Sequence, residues 1–262
     1  LSAKGLTPMP TIAETLNAAR LAKQAVVIDP ADFPTDEAGV VAIQNAVFEV
    51  ADTTPGGWKA GPPPAGMQDT GCAALAAEWT TVSPATVECP GAPLLVESEF
   101  VLRFGKDVTP SGAPYTAESI AGYIDGLAPG IELVWRRTAN AQGPETALLY
   151  QADANGHAGM ILGAWREDWQ RFDLSGHPVT QHRNGEVHAE GDSGKTMDGH
   201  PLNVAAALAN REARLGNTIR AGVWVTTGSC TGVKPVAAGD TVRCDFGVVG
   251  SLEVSFIEGT PA

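Results

Sequence analysis

The 262-residue chain is poor in positive charge. Seventeen Lys and Arg stand against thirty Asp and Glu, a net charge of −13. Such a surface repels phosphate backbones and anionic headgroups, so the expected partners include neither nucleic acid nor a membrane. No apolar run approaches the length of a membrane span. Cysteine is scarce as well. Cys72, Cys89, Cys230 and Cys244 form no CxxC pair and are too scattered for a disulfide scaffold, so reduced thiols are expected, with a Cys72–Cys89 bridge left open. The chain opens on Leu1 and no secretory leader can be read, which gives a cytoplasmic expectation; a processed or trimmed N-terminus leaves export open. The five histidines, His157, His177, His182, His188 and His200, lack metal-binding helix spacing. GxSxG, Walker, GxGxxG and HExxH patterns are absent, and with them the chemistries they carry.

A hydrophobic content of 44% is enough for a real core. Thr11-Ile12-Ala13-Glu14 is a capping-box pattern opening a helix to about Gln24, and Thr35 is expected to cap a second helix with Val40, Val41, Ile43, Val47 and Phe48 on its apolar side. Residues 54–71, rich in Gly and Pro and holding Trp58 and Lys59, read as a loop, and residues 72–80 as a short helix. A strand is expected over 94–104, a helix from Thr116 to about Leu127 stopped by Pro129-Gly130, and a strand over 131–135. Short extended pieces follow at 146–151, 158–164 and 170–174. Asn184-Gly185 predicts a hairpin. Residues 191–200 form a second glycine-rich loop, 201–215 a helix, and 218–227, 241–248 and 251–257 strands. With no sustained βαβ alternation, the expectation is an α+β fold: an N-terminal helical region over 1–55 packed on a β-roll or sandwich-like domain over 56–262.

Chemistry is most visible in Val96-Glu97-Ser98-Glu99-Phe100. On a strand, residues i and i+2 share a face, so Glu97 and Glu99 project together from an apolar run. Two adjacent carboxylates repel, and burying them uncompensated is costly; a hard divalent cation, Mg²⁺ or Mn²⁺, relieves both. Two solvated surface glutamates are the plain alternative for this stretch taken alone. Glu132, inside Ile131-Glu132-Leu133-Val134-Trp135, either faces solvent or has a partner. Lys59, Lys195 and the turn Thr226-Thr227-Gly228-Ser229 add positive charge and hydroxyls, a set suited to a small oxo-acid whose 1-carboxylate and 2-oxo group chelate a divalent ion.

The order of motifs resembles the fumarylacetoacetate hydrolase superfamily, in its branch of 2-keto-4-pentenoate hydratases and 4-oxalocrotonate decarboxylases. The resemblance is carried by Val40–Val47, Gly57-Trp58-Lys59-Ala60-Gly61, Glu97-Ser98-Glu99, Pro129-Gly130-Ile131-Glu132-Leu133-Val134, Gly159–Gly163, Asn184–Val187, Gly199-His200-Pro201-Leu202, Leu208–Asn210, Thr227-Gly228-Ser229 and Ala238-Gly239-Asp240. It implies a mixed β-roll with an N-terminal helical part, Mg²⁺ or Mn²⁺ on Glu97, Glu99 and Glu132, a catalytic Lys59, and a homo-oligomer. Trp135, Arg137, Lys195, Thr227 and Ser229 become the candidate substrate contacts. The implied activity is a lyase reaction on a 2-oxo or 2-hydroxy-dienoic acid, first a hydratase, with decarboxylation or C–C hydrolysis on the same metal as alternatives and a non-catalytic homologue as another. Two departures stand out. The lysine loop continues as Gly61-Pro62-Pro63-Pro64 where the family has G-L-T-S, and Trp135 replaces an acid in E-I-V-D-S-R, placing a tryptophan where a pocket-side acid is usual. The hydrolases' early His–Glu pair has no counterpart, because no histidine precedes His157.

Overall fold

A computed structural model describes residues 10–61, 71–90, 92–196 and 199–259. Its core is two mixed sheets. The larger contains β1 (Pro55–Gly61), β2 (Gly71–Ala76), β3 (Thr80–Val82), β5 (Leu94–Phe104), β6 (Ile124–Val134), β7 (His157–Leu162) and β10 (Trp224–Ser229), in the order β2-β1-β10-β5-β6-β7-β3, with β11 (Lys234–Val236) also paired to β5. The smaller has β4 (Ala85–Glu88), β8 (Pro178–Arg183), β9 (Glu186–Asp192), β12 (Thr241–Asp245) and β13 (Ser251–Ile257), in the order β4-β13-β12-β8-β9. Parallel pairs (β1 with β10, β3 with β7, β13 with β4) interrupt otherwise antiparallel ladders. This is the mixed-sheet α+β architecture that the sequence leads one to expect.

The large sheet curls. Its two ends, β2 and β3, are consecutive in the chain and separated only by a 3₁₀ turn over Ala77–Trp79. Leu75 of β2, Val101 of β5, Met160 and Leu162 of β7 and Trp224 of β10 form one buried cluster, which brings the two ends of the sheet together on one side. Alternation then sorts the side chains. Phe100, Leu102, Ile131, Leu133, Ile161 and Val225 face outward into the main core, where they join Val242, Phe246, Val254 and Phe256 of the second sheet and its flank. Glu97, Glu99, Glu132, Thr226 and Lys59 belong to the opposite, inner side, as their register shows: Glu97 pairs with Glu132, Val101 with Thr226, and Thr226 with Lys59.

Among the described residues five helices flank the sheets: α1 (Ile12–Ala22), α2 (Glu37–Ala51), α3 (Ala117–Ala121), α4 (Ala147–Ala152) and α5 (Pro201–Arg214). The capping box opens α1 as expected, with the Thr11 hydroxyl accepting from Glu14 N and the Glu14 carboxylate accepting from Thr11 N. In α2 the cap is Asp36, not Thr35; its carboxylate accepts from Gly39 N. Leu16, Ile28, Ala141 and Leu149 bind the N-terminal helices to α4. The buried Gln44 amide of α2 donates to the Gln151 and Cys72 carbonyls, and Gln151 donates to the same Cys72 carbonyl. One glutamine therefore ties α2 to α4 and to β2.

Several local expectations are overturned. Residues 55–61 are a strand, not a loop, because pairing with β2 and β10 on both edges outweighs their Gly and Pro content. The alanine-rich 71–76 is a strand for the same reason, tertiary pairing prevailing over helix propensity. The helix after Thr116 ends at Ala121, and Pro129-Gly130 lies within β6, opposite Phe100 and Glu99. Residues 147–152 are helical, and 170–174 hold the end of a 3₁₀ turn over Trp169–Arg171 and no strand. The strand expected over 218–227 runs from Trp224 to Ser229. The Asn184-Gly185 hairpin holds, with φ of 54° and 86° suited to its turn. All four cysteines are free thiols. Pro62–Pro64 lie outside the described residues.

Gly57 is where β1 meets the inner cluster. A Cβ there would lie 2.3 Å from the Trp224 ring, which is buried and cannot withdraw. Gly57→Ala is expected to destabilise the protein by about 1–3 kcal/mol through overpacking, measured as a lower urea midpoint. Unchanged stability would mean that β1 is not seated against Trp224.

Candidate metal centre

Glu97 and Glu99 leave β5 on its inner side, and Glu132 faces Glu97 across the β5–β6 ladder. Each offers an oxygen, and the three lie within 4.8 Å of one another. Glu99 and Glu132 are buried, while Glu97 is partly exposed. Glu132 is held from two directions: Lys59 Nζ donates to Oε1 at 2.7 Å, and His157 Nδ1 lies 2.9 Å from the same oxygen. Its Oε2 is buried and without a protein partner. Glu99 Oε2 accepts from Gly228 N at 2.8 Å.

The electrostatics follow from this geometry. Burial, then repulsion from Glu132, pushes the Glu97 carboxyl up to about 7, against the pull of Lys59 and the Ser229 hydroxyl. Burial, then repulsion from Glu132 and Glu97, raises Glu99 well above the usual carboxylate range. Burial would raise Glu132 too, but the Lys59 charge and the His157 hydrogen bond prevail and hold it down to about 2. Burial opposes charge on Lys59, yet the attraction of Glu132, Glu97 and Glu99 outweighs it and raises its pKa, so it is an ammonium at neutral pH. Burial lowers His157 to about 4, leaving it neutral, with Glu132 pulling the other way. An acid that remains ionised with a buried, partnerless oxygen, beside two acids that ionise reluctantly, is a donor set suited to a hard divalent cation. The residues present fit such an ion.

The other sequence candidates divide. Ser229 pairs with Glu99 across β10–β5 and bears on Glu97. Thr227 is fully buried, and its hydroxyl donates to the Phe100 carbonyl, holding β10 to β5; the hydroxyl on the inner side is that of Thr226, which is buried without a partner. Arg137 is held by other partners. It is buried, pairs with Asp153 at 2.7 Å and donates to the His157 and Asp153 carbonyls. Trp135 lies on the far side of β6, where it lines a cavity of about 110 Å³ with Arg20, Lys23, Leu94, Leu133 and Ala158; none of the three glutamates reaches that cavity. Lys195 is exposed after β9, 3.5 Å from the Glu190 carbonyl. Strand alternation turns Trp135 away, the buried Asp153 holds Arg137, and Lys195 sits exposed on the 3₁₀ turn Ser193–Lys195; none of these is visible in the motif order.

Sequence reasoning missed His157, Arg136 and Tyr150 and, within the turn 226–229, favoured Thr227 over Thr226. His157 pairs with Val134 at the start of β7, and this register places it beside Glu132. Arg136 stacks its guanidinium 4.4 Å over the Tyr150 ring. Tyr150 in turn feels Lys59, Glu97 and Glu132, with burial as the main reason its pKa is raised. No local motif announces any of these contacts.

Over 134 residues the chain is 31% identical to 4-oxalocrotonate decarboxylase of Pseudomonas putida, and over 150 residues 31% identical to 2-oxo-hept-4-ene-1,7-dioate hydratase of Escherichia coli. These matches cover 51% and 56% of this chain and 50% and 56% of the relatives, so the chain spans about half the length of the curated relatives it matches. Among solved structures, 4-oxalocrotonate decarboxylase from Pseudomonas putida G7, complexed with magnesium and adipate, superposes with a TM-score of 0.82 at 25% identity, covering 94% of this chain and 95% of that one. The family model for the fumarylacetoacetate (FAA) hydrolase C-terminal region matches residues 41–257, and the chain belongs to that family.

Proposed function

We propose that this protein is a divalent-metal-dependent lyase acting on a small 2-oxo or 2-hydroxy-dienoic acid, in the first place a hydratase. The observation that carries the reading is the convergence of Glu97, Glu99 and Glu132 within 4.8 Å beside a buried lysine. Those glutamates would hold Mg²⁺, or Mn²⁺ in its place. The ion would supply Lewis acidity to the 1-carboxylate and 2-oxo oxygens of the substrate. Lys59 supplies a fixed ammonium next to the ligand cluster. Because it stays protonated, its role is to donate a hydrogen bond and stabilise negative charge on the substrate, and it does not act as the base. Glu132 and His157 fix its position: one oxygen of Glu132 receives both donors and the other is left for the ion. The walls around the cluster are apolar, with Val101, Met160 and Trp224 on the same side of the sheet, and this low-dielectric surrounding strengthens the charge interactions. Decarboxylation is the second reading, supported by the likeness to the Pseudomonas decarboxylase over nearly the whole chain. Both reactions use the same metal-bound oxo-acid.

Three outcomes are expected. Isothermal titration should show that Glu97→Gln and Glu132→Gln each weaken Mg²⁺ binding by more than the roughly tenfold to hundredfold typical of losing an outer partner of a metal ligand; unchanged binding in both would refute the site. Lys59→Met should retain Mg²⁺ yet lower kcat by about 100-fold or more, assayed on a panel of 2-oxo and 2-hydroxy-dienoic acids followed by dienol absorbance and CO₂ release. Hydration consumes the dienol without CO₂; decarboxylation releases it.

Acidity gives the third outcome. Below about pH 7 the Glu97 carboxyl holds a proton that a metal must displace. Mg²⁺ affinity should therefore fall by about fivefold or more as pH drops from 7 to 6, and titrations in buffers of different ionisation enthalpy should register proton release. An affinity flat from pH 5.5 to 8 would contradict the assignment.

A further inference from the structure

Arg136 is an exposed cation flanked on both sides by buried residues. Trp135 N donates to the Gly156 carbonyl, which carries the extended backbone one residue past the end of β6. Alternation then returns Arg136 to the side of Glu132. Four residues separate the two, a backbone span of at most about 14 Å. The guanidinium sits 4.4 Å over the Tyr150 ring and donates through Nη1 to the Ala141 carbonyl. No acid among the described residues pairs with it, in a chain where acids outnumber bases thirty to seventeen. Its neighbour Arg137 is by contrast fully engaged with Asp153.

Tyr150 connects this arginine to the metal centre. Burial raises its phenol most, Lys59 and Arg136 lower it, and Glu97 and Glu132 raise it. Stacking on an aromatic ring and one carbonyl contact restrain the guanidinium while leaving Nε and Nη2 as donors. A pre-oriented fork with free edge donors matches a carboxylate in geometry and charge.

We infer that Arg136, held on Tyr150, is a specificity residue that receives the distal carboxylate of a dicarboxylic oxo-acid whose 1-carboxylate end lies at Glu97, Glu99 and Glu132. The inference rests on the oxo-acid reading above and adds the nature of the substrate's tail. A monocarboxylic substrate would reach the same glutamates without engaging Arg136. The wider charge balance favours the same conclusion: a second anionic group brought near so acidic a chain needs a local cation.

The test compares two non-reacting probes of equal carbon length, 2-oxoadipate and 2-oxohexanoate, titrated into the full chain at millimolar Mg²⁺. The wild type is expected to bind 2-oxoadipate about tenfold to hundredfold more tightly, as one charge-assisted bidentate contact would give. In Arg136→Gln that advantage should shrink to about twofold or less, with 2-oxohexanoate affinity and the melting temperature unchanged. The position is exposed, so the variant is expected to fold. Equal affinity for both probes in the wild type, or an undiminished preference in Arg136→Gln, would overturn the inference and leave the oxo-acid reading standing. Binding of neither probe would overturn both.

Discussion

Lys59 and Glu132 meet at 2.7 Å, although β1 and β6 are three strand spacings apart in the sheet. In a flat sheet that is about 14 Å sideways. The register adds an offset along the strands, since Lys59 stands level with Thr226, Val101 and Ala128, four residues from Glu132. Only a sheet curled toward its charged side can close that distance. The ion pair and the curl therefore require each other. The shared cluster of Leu75, Val101, Met160, Leu162 and Trp224 holds the curl from within, and the three-residue turn between β2 and β3 ties its ends.

Once the sheet is curled, its two sides carry opposite duties. The outer side buries aromatic and branched residues against the second sheet, where Phe100 meets Phe246 edge-on at 5.0 Å. Most of the stabilising apolar burial lies there, so the inner side is free to hold charge that costs stability. The N-terminal helices contribute at one remove. Through Gln44 and Gln151 they fix α4 against β2, and α4 carries Tyr150.

How much of this can be read in the sequence depends on the range of the interaction. Glu97 and Glu99 are legible because strand alternation is a two-residue property, and Glu132 because the motif order supplies it. β1 is illegible: its Gly and Pro content signals a loop, while the pairing that makes it a strand comes from residues 72–76 and 224–226. Thr226 and Thr227 differ by one position, and that step moves a hydroxyl from the inner side to a backbone carbonyl. His157 contacts Glu132 only because β7 pairs with β6 in one register. Trp135 and Arg137 look like pocket residues in the motif and are directed elsewhere, Trp135 by alternation to the outer side with Leu133 and Arg137 by Asp153.

The charges of the inner side explain why a divalent ion suits it better than a monovalent one. Three ionised glutamates and one ammonium sum to −2, because His157 is neutral. Without an ion, the protein lessens that charge by retaining protons on Glu97 and Glu99, as their raised pKa values express. A doubly charged cation brings the sum to zero and allows both acids to ionise, so the displaced protons measure how well the ion fits. A monovalent ion would leave one uncompensated charge against an apolar wall. On the reading proposed above, an anionic substrate would meet Lys59 at the metal end and Arg136 beyond Tyr150.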